Sequence, residues 1–141
     1  MLKNSDFIND LKTRIDCVLG RTPCELCLSN VRYIDVFSGE VTEPGQIYIH
    51  QGKIVDAGTH CQAKALKTID LQGALVAPGF IDAHVHIESS MLSPVQFSRL
   101  IAPFGTTTIV ADPHEIANVL GVPGIRFMMQ EAEKAPINIF F

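Results

Sequence analysis

The chain has 141 residues, 47% of them hydrophobic, and a formal net charge of −4. That length fits one domain and that apolar share supports a core, while the acidic balance lacks the basic footprint of nucleic-acid binding. No apolar run approaches the roughly 20 residues of a membrane span, and the opening Met-Leu-Lys-Asn-Ser-Asp-Phe lacks a charged-then-apolar leader pattern, so a cytoplasmic location is expected.

Asp6–Leu19 reads as a short amphipathic helix. Ile8, Leu11, Ile15 and Leu19 recur at helical spacing, Ser5 stands as N-cap, and Gly20 and Pro23 end the run. The stretch 25–77 reads as short strands. Leu26–Val36 is the first, and Ser38-Gly39 and Pro44-Gly45 are turn signals. Gln46–His50 and Lys53–Ala57 flank Gln51-Gly52 as a hairpin, and Lys67–Leu71 and Ala74–Ala77 flank Gln72-Gly73 as a second one. Strands this short and closely spaced predict a small sheet or sandwich. His50 and His60 have no partner at ligand spacing and read as exposed strand or loop residues.

Four cysteines fall in the same half: Cys17, Cys24, Cys27 and Cys61. Cys24-Glu25-Leu26-Cys27 is formally a C-x-x-C, but zinc sites usually need a second pair at similar spacing. Cys17 and Cys61 do not supply one, so reduced, partly buried thiols are expected.

From Pro78 the pattern changes to longer alternating elements. Phe80–Ile87 reads as a strand after a Pro-Gly corner, followed by the polar Glu88-Ser89-Ser90. Ser93-Pro94-Val95-Gln96 is a capping box with Pro94 at the first helical position; its helix runs to about Ala102, and Pro103 and Gly105 close it. Thr106–Asp112 is a second strand, β-branched almost throughout. Pro113–Gly121 is a loop or short helix, Pro123 opens a helix over Gly124–Lys134 with Met128 and Met129 as packing residues, and Ile137–Phe141 begins a third strand. Strand–helix–strand–helix–strand in tandem predicts a parallel α/β architecture. The expected organisation is a helix over 1–22, a small β domain over 23–77 and α/β units over 78–141.

The chemistry concentrates where the α/β part begins. His84 and His86 are two apart in a strand, so they share one face at about 7 Å between Cα atoms and can lean onto one metal ion. Ile81, Ala83, Val85 and Ile87 face the other way, as a strand covered by a helix would. Asp82 lies on the histidines' face and reads as a hydrogen-bonding group below them. Asp112 and His114 follow the second strand. Ligand sites of parallel sheets lie beyond the carboxyl ends of the strands, so chain direction alone brings both pairs to one rim.

Pro78-Gly79-Phe80-Ile81-Asp82-Ala83-His84-Val85-His86 resembles the first barrel strand of the amidohydrolase superfamily. The continuation Ile87-Glu88-Ser89-Ser90-Met91, with Asp112-Pro113-His114-Glu115-Ile116, is similar to the adenine deaminase branch of that superfamily. The resemblance implies a (β/α)8 TIM-type barrel preceded by a small β-sandwich-like domain and an N-terminal helix. It implies hydrolytic deamination of adenine to hypoxanthine and ammonia, with Mn2+ or Fe2+, often binuclear, favoured over Zn2+. His84 and His86 match the paired metal ligands. His114 stands as a further ligand, a hydrogen-bond donor behind the ligands or a contact to the purine, and Glu88 and His114 are the catalytic candidates. Ser89 and Ser90 are either turn residues or hydrogen bonders to the base. Asp112 is either a helix cap or the carboxylate that orients a histidine.

A full barrel takes about 250 residues, so the stretch from residue 78 has room for two β/α units and the start of a third strand. The expectation is therefore an N-terminal portion of the enzyme, with little activity alone, acting as a homo-oligomer or with a complementing C-terminal chain. The alternatives are another amidohydrolase, acting on cyclic amides or N-acetyl sugars, and a non-enzymatic relic or split subunit.

Overall fold

The computed structural model describes residues 4–141, the side chains of Asn4 and Ser5 excepted. The chain divides between Ala77 and Pro78 into two compact units.

The first unit holds helix α1 (Asn4–Val18) and strands β1 (Cys24–Tyr33), β2 (Gly45–His50), β3 (Lys53–Gly58), β4 (Ala65–Asp70) and β5 (Leu75–Val76). Ser5, expected as the N-cap, falls inside α1, and its side chain lies outside the described residues. Strand β1 is central. It pairs antiparallel with β2 on one side and parallel with β4 and then β5 on the other. The β2–β3 hairpin forms as expected: His50 pairs with Lys53, and Gln51 and Gly52 take φ of 50° and 70°. Two consecutive positive φ values match the right-handed twist of the flanking strands, as a type I′ turn does.

The second expected hairpin does not form. Gln72 and Gly73 also have positive φ, 53° and 82°, but β4 and β5 do not pair with each other. Both run along β1: Ser29 pairs with Asp70 and Arg32 with Leu75. The turn is a bulge in what is otherwise one parallel strand, and it is held to β1 by the Gly73 N–H donating to the Asn30 carbonyl at 2.7 Å. Asn30 itself takes φ 52°, a left-handed conformation that asparagine tolerates well. The described strands of this unit form one sheet, so the sandwich expected from their spacing is not seen. Its core gathers Cys17 of α1 with Cys24, Cys27, Tyr48 and Ala63.

The second unit is built from β6 (Phe80–Val85), α2 (Pro94–Ile101), β7 (Thr106–Ala111), α3 (His114–Leu120), α4 (Val122–Ala132) and β8 (Asn138–Phe140). Strand β7 lies between β6 and β8, all parallel. Ser93 caps α2 by accepting from the Gln96 N–H, and Pro94 occupies the first turn, where a missing N–H costs nothing. The Pro-Gly corner has a steric reason: a Cβ on Gly79 would lie 2.1 Å from Thr107 Oγ1 and 2.7 Å from Thr107 Cβ.

One face of this sheet is covered. Ile87, Ile109, Ala111 and Met128 are buried there, packed with Val85, Phe97, Ile101, Ile116, Ile137 and Ile139. Coverage ends short of the start of β6, since Ile81 is 67% exposed and Ala83 is exposed too. The methionine pair also divides: Met128 packs into this core, whereas Met129 is 51% exposed. Because side chains alternate across a strand, His84, Val110 and Asp112 are left on the uncovered face.

Candidate metal centre

The site forms where β6 and β7 end. Their register slips between Asp82 and Val85, and in that interval the Asp82 carboxylate accepts the backbone N–H of His84 at 3.1 Å. Asp82 thus serves the local backbone. Val85 pairs with Ala111, and the Asp112 N–H donates to the Val85 carbonyl at 3.0 Å. That bond fixes Asp112 level with the histidines.

Three imidazoles gather here. The rings of His84 and His86 meet edge to face with centroids 4.8 Å apart, and those of His86 and His114 at 4.6 Å. Asp112 holds two of them. Its main-chain carbonyl lies 3.0 Å from His86 Nδ1, and its carboxylate Oδ2 lies 3.1 Å from His114 Nδ1. A carbonyl oxygen and a carboxylate both accept, so each Nδ1 carries the hydrogen. The neutral ring then keeps its lone pair on Nε2, the form a metal takes.

Donor atoms of His84, His86 and Asp112 lie within 4.8 Å of one another, and so do those of His86, His114 and Glu115. Two imidazoles and a carboxylate suit a divalent first-row ion, so both donor sets fit a metal. Among the described residues no such group includes a cysteine. The four thiols are unbridged, three of them fully buried. Burial pushes the Cys24 and Cys61 thiols up to about 11, aided by Cys17 at the first and Asp56 at the second.

The loop residues have defined tasks. Ser90 Oγ donates to the Ile87 carbonyl at 2.6 Å and accepts from the Leu92 N–H, closing the turn after β6. Ser89 Oγ donates to Glu115 Oε1 at 2.6 Å. Glu88 Oε1 accepts the Ile116 N–H at 3.2 Å at the start of α3, while Oε2 is buried without a partner. Glu115 was not singled out in the sequence. The available signal was its adjacency to His114, with a serine-rich loop expected at the same rim. His50, expected to be exposed, is half-buried, with Nδ1 buried and unpartnered, and His60 is exposed.

Residues 75–141 match the amidohydrolase family. That match takes in both groups of candidate donors just described. The resemblance to adenine deaminases is shown by curated relatives of that description. One from Kosmotoga olearia is 49% identical over 86% of this chain and 20% of its own length. Others, from Listeria monocytogenes and Thermosipho africanus, are 48% and 46% identical over 94% and 90% of this chain and 22% of theirs. The chain therefore spans about a fifth of the length of the curated relatives it matches. Among solved structures, a prolidase complexed with N-methylphosphonate-L-proline shares 20% identity at TM-score 0.49 over 67% of this chain and 28% of its own, too distant to bear on the assignment.

Proposed function

We propose that this chain supplies the first metal-binding corner of an enzyme that hydrolyses adenine to hypoxanthine and ammonia. One observation carries the reading: a histidine pair and an aspartate converge on the uncovered face of a parallel sheet, in a chain 45–49% identical to adenine deaminases. In this reading β6, β7 and β8 are the first strands of a (β/α)8 barrel, and the uncovered face is its interior. A cytoplasmic location goes with the same reading; no helix among the described residues is long and apolar enough to cross a membrane.

His84 and His86 would hold a divalent ion, manganese or iron in preference to zinc, as one ion or two. When bound, such an ion lowers the pKa of water towards neutrality and so supplies the hydrolytic nucleophile. Asp112 keeps His86 in the tautomer that presents Nε2. Glu88 fixes the first turn of α3, and Ser90 fixes the loop after β6. Ser89 is the more exposed of the two serines and remains the candidate contact to the purine edge. A catalytic metal takes about three protein ligands and keeps one open position. Two strand ends supply only part of such a ligand set, so the 141-residue chain alone should show little or no turnover.

The test is a chimera. Residues 1–141 are joined to the remaining four fifths of the Listeria monocytogenes relative, loaded with Mn2+, and assayed for ammonia release from adenine. Turnover is expected, with loss of about a thousandfold or more for His84→Ala or His86→Ala, the scale of removing a metal-held nucleophile. A chimera that hydrolyses a cyclic amide or an N-acetyl sugar and leaves adenine intact would overturn the reading.

A further inference from the structure

We propose that the tip of the loop between β1 and β2 seats Phe37 in the apolar groove beside α1 of a second copy of this chain, so that two first units pair reciprocally. Both the tip and the groove belong to the first unit.

The tip is held by its own hydrogen bonds. Ile34 and Val41 bridge across its base. The Asp35 N–H donates to the Glu40 carbonyl at 2.9 Å, and the Gly39 N–H to the Asp35 carbonyl at 2.7 Å. The Asp35 carboxylate accepts the Phe37 N–H at 2.9 Å, and Ser38 Oγ accepts the Glu40 N–H at 3.2 Å. These bonds fix the backbone and leave Phe37 99% exposed. A loop ordered in advance loses less entropy on binding, and a buried aromatic anchor is the kind of group that dominates interface energy.

The groove lies at the other end of the same sheet. Leu11, Arg14, Ile15 and Leu19 of the α1 segment and Ile54 and Val55 of β3 line it, with a volume of about 250 Å3, room for a phenyl ring. Ile54 is 66% exposed, so the groove is open. Charge favours the tip as its occupant. Residues 34–43 hold Asp35, Glu40 and Glu43 and no base. At the groove Asp10 is shared by Arg14 at 3.0 Å and Lys53 at 3.3 Å, which leaves one positive charge over. Complementary charge of this kind steers encounter and sets register. Strand β2 begins at Gly45, where the loop returns, and its Ile49 pairs with Ile54 at the groove. Four rises of about 3.4 Å separate those ends. A twofold axis across β2 therefore seats each tip in the other copy's groove, and the pair closes. Two such contacts are small, which places the dimer in the weak, transient class.

The experiment follows the 141-residue chain by sedimentation at low salt, from about 10 μM to about 1 mM, the range of a weak complex. The mass should rise from monomer towards dimer. Phe37→Ser, which removes a side chain standing almost wholly in solvent, should weaken association about thirtyfold, the scale of an interface hot spot. Ile54→Thr, which keeps the β-branch that suits a strand, should weaken it about tenfold. Glu40→Lys should weaken it about threefold, and that difference should vanish in high salt. Independently of any variant, isotope-filtered NOE spectra of a mixture of labelled and unlabelled chains should join the Phe37 ring to methyl groups of Leu11, Ile15 and Ile54 across copies. The proposal is overturned if the chain stays monomeric throughout, or if the Phe37 ring contacts other residues of the second copy. It is equally overturned if Phe37→Ser associates as the wild type does, since assembly then runs through another surface such as the outer edge of β8.

Discussion

The two units of this chain treat metal-ligand residue types in opposite ways. The first packs four cysteines, three of them buried, among apolar neighbours, where burial raises the pKa of Cys24, Cys27 and Cys61 and, among the described residues, no three donors come together. The second sets three histidines and two carboxylates on a half-exposed rim, where one aspartate orients two of the rings. Spacing and environment decide the difference. Cys24 and Cys27 both pack into the apolar core of the first unit, whereas the two-residue spacing of His84 and His86 puts both rings on one face of a strand at an open rim.

That contrast makes predictions, and the largest concerns what the histidine rim stands on. Ile109 is fully buried behind it. Ile109→Ala should cost the second unit about 2–5 kcal/mol by lost transfer energy and the cavity left behind, read as a drop in the denaturant midpoint with exchange protection lost in β6–β8. A loss below about 1 kcal/mol, the scale of a minor core trim, would mean that the rim does not depend on this core. Next comes Gly79→Ala, whose added methyl overlaps the Thr107 side chain and should cost about 1–3 kcal/mol through overpacking. Gly52→Ala, at the opposite unit's hairpin, meets no atom within 4 Å. It strains only a φ of 70°, and should cost less, about 1 kcal/mol.

The buried thiols sharpen the comparison from the other side. Burial holds Cys24 and Cys61 near 11, above an ordinary 9.0, and Tyr48 near 12. In each case the folded value lies above the unfolded one, so folding favours the protonated form. The stability that this contributes is complete below about pH 9 and is lost as the pH rises through 11. Denaturant midpoints of the first unit should be flat from pH 7 to about 8.5 and then fall, where free thiols begin to ionise. A midpoint that already falls near pH 7 would place an ionised, reactive thiol in this unit and erase the contrast with the rim. A smaller effect is expected from the α2 cap, where Ser93→Ala should cost about 1 kcal/mol.

Much of this architecture was written in local signals. The β-branched run 106–111, the Ser93-Pro94 helix start and the Gln51-Gly52 turn each carry their own geometry in a few residues, and each forms as read. Gln72-Gly73 carries the same local turn chemistry but a different outcome, because its neighbours hydrogen-bond to β1 and not to one another. Pairing partners are a long-range property, and a turn cannot announce them. The rim divides in the same manner. The shared face of His84 and His86 follows from strand periodicity alone, but the grip of Asp112 on two rings depends on the register of β6 against β7. The role of Glu115 depends on where the Ser89 hydroxyl lands after a loop.

The smallest effect concerns how the first unit holds α1. Lys53 of β3 lies 3.3 Å from Asp10, which is also bonded by Arg14 at 3.0 Å. On the same elements, Leu11, Ile15, Ile54 and Val55 line an apolar groove. Lys53 is half-exposed, so water and salt screen its attraction, and exposed pairs of this kind contribute about 0–1 kcal/mol. Asp10 also keeps Arg14 when Lys53 is removed. Lys53→Met should thus lower the denaturant midpoint by less than about 1 kcal/mol, and 1 M NaCl should leave wild type and variant nearly parallel. Ile15→Ala, which removes apolar area from the groove, should cost more than Lys53→Met. The reverse order would mean that charge docks this helix, and that the cysteine core under it relies on a surface contact for its dryness.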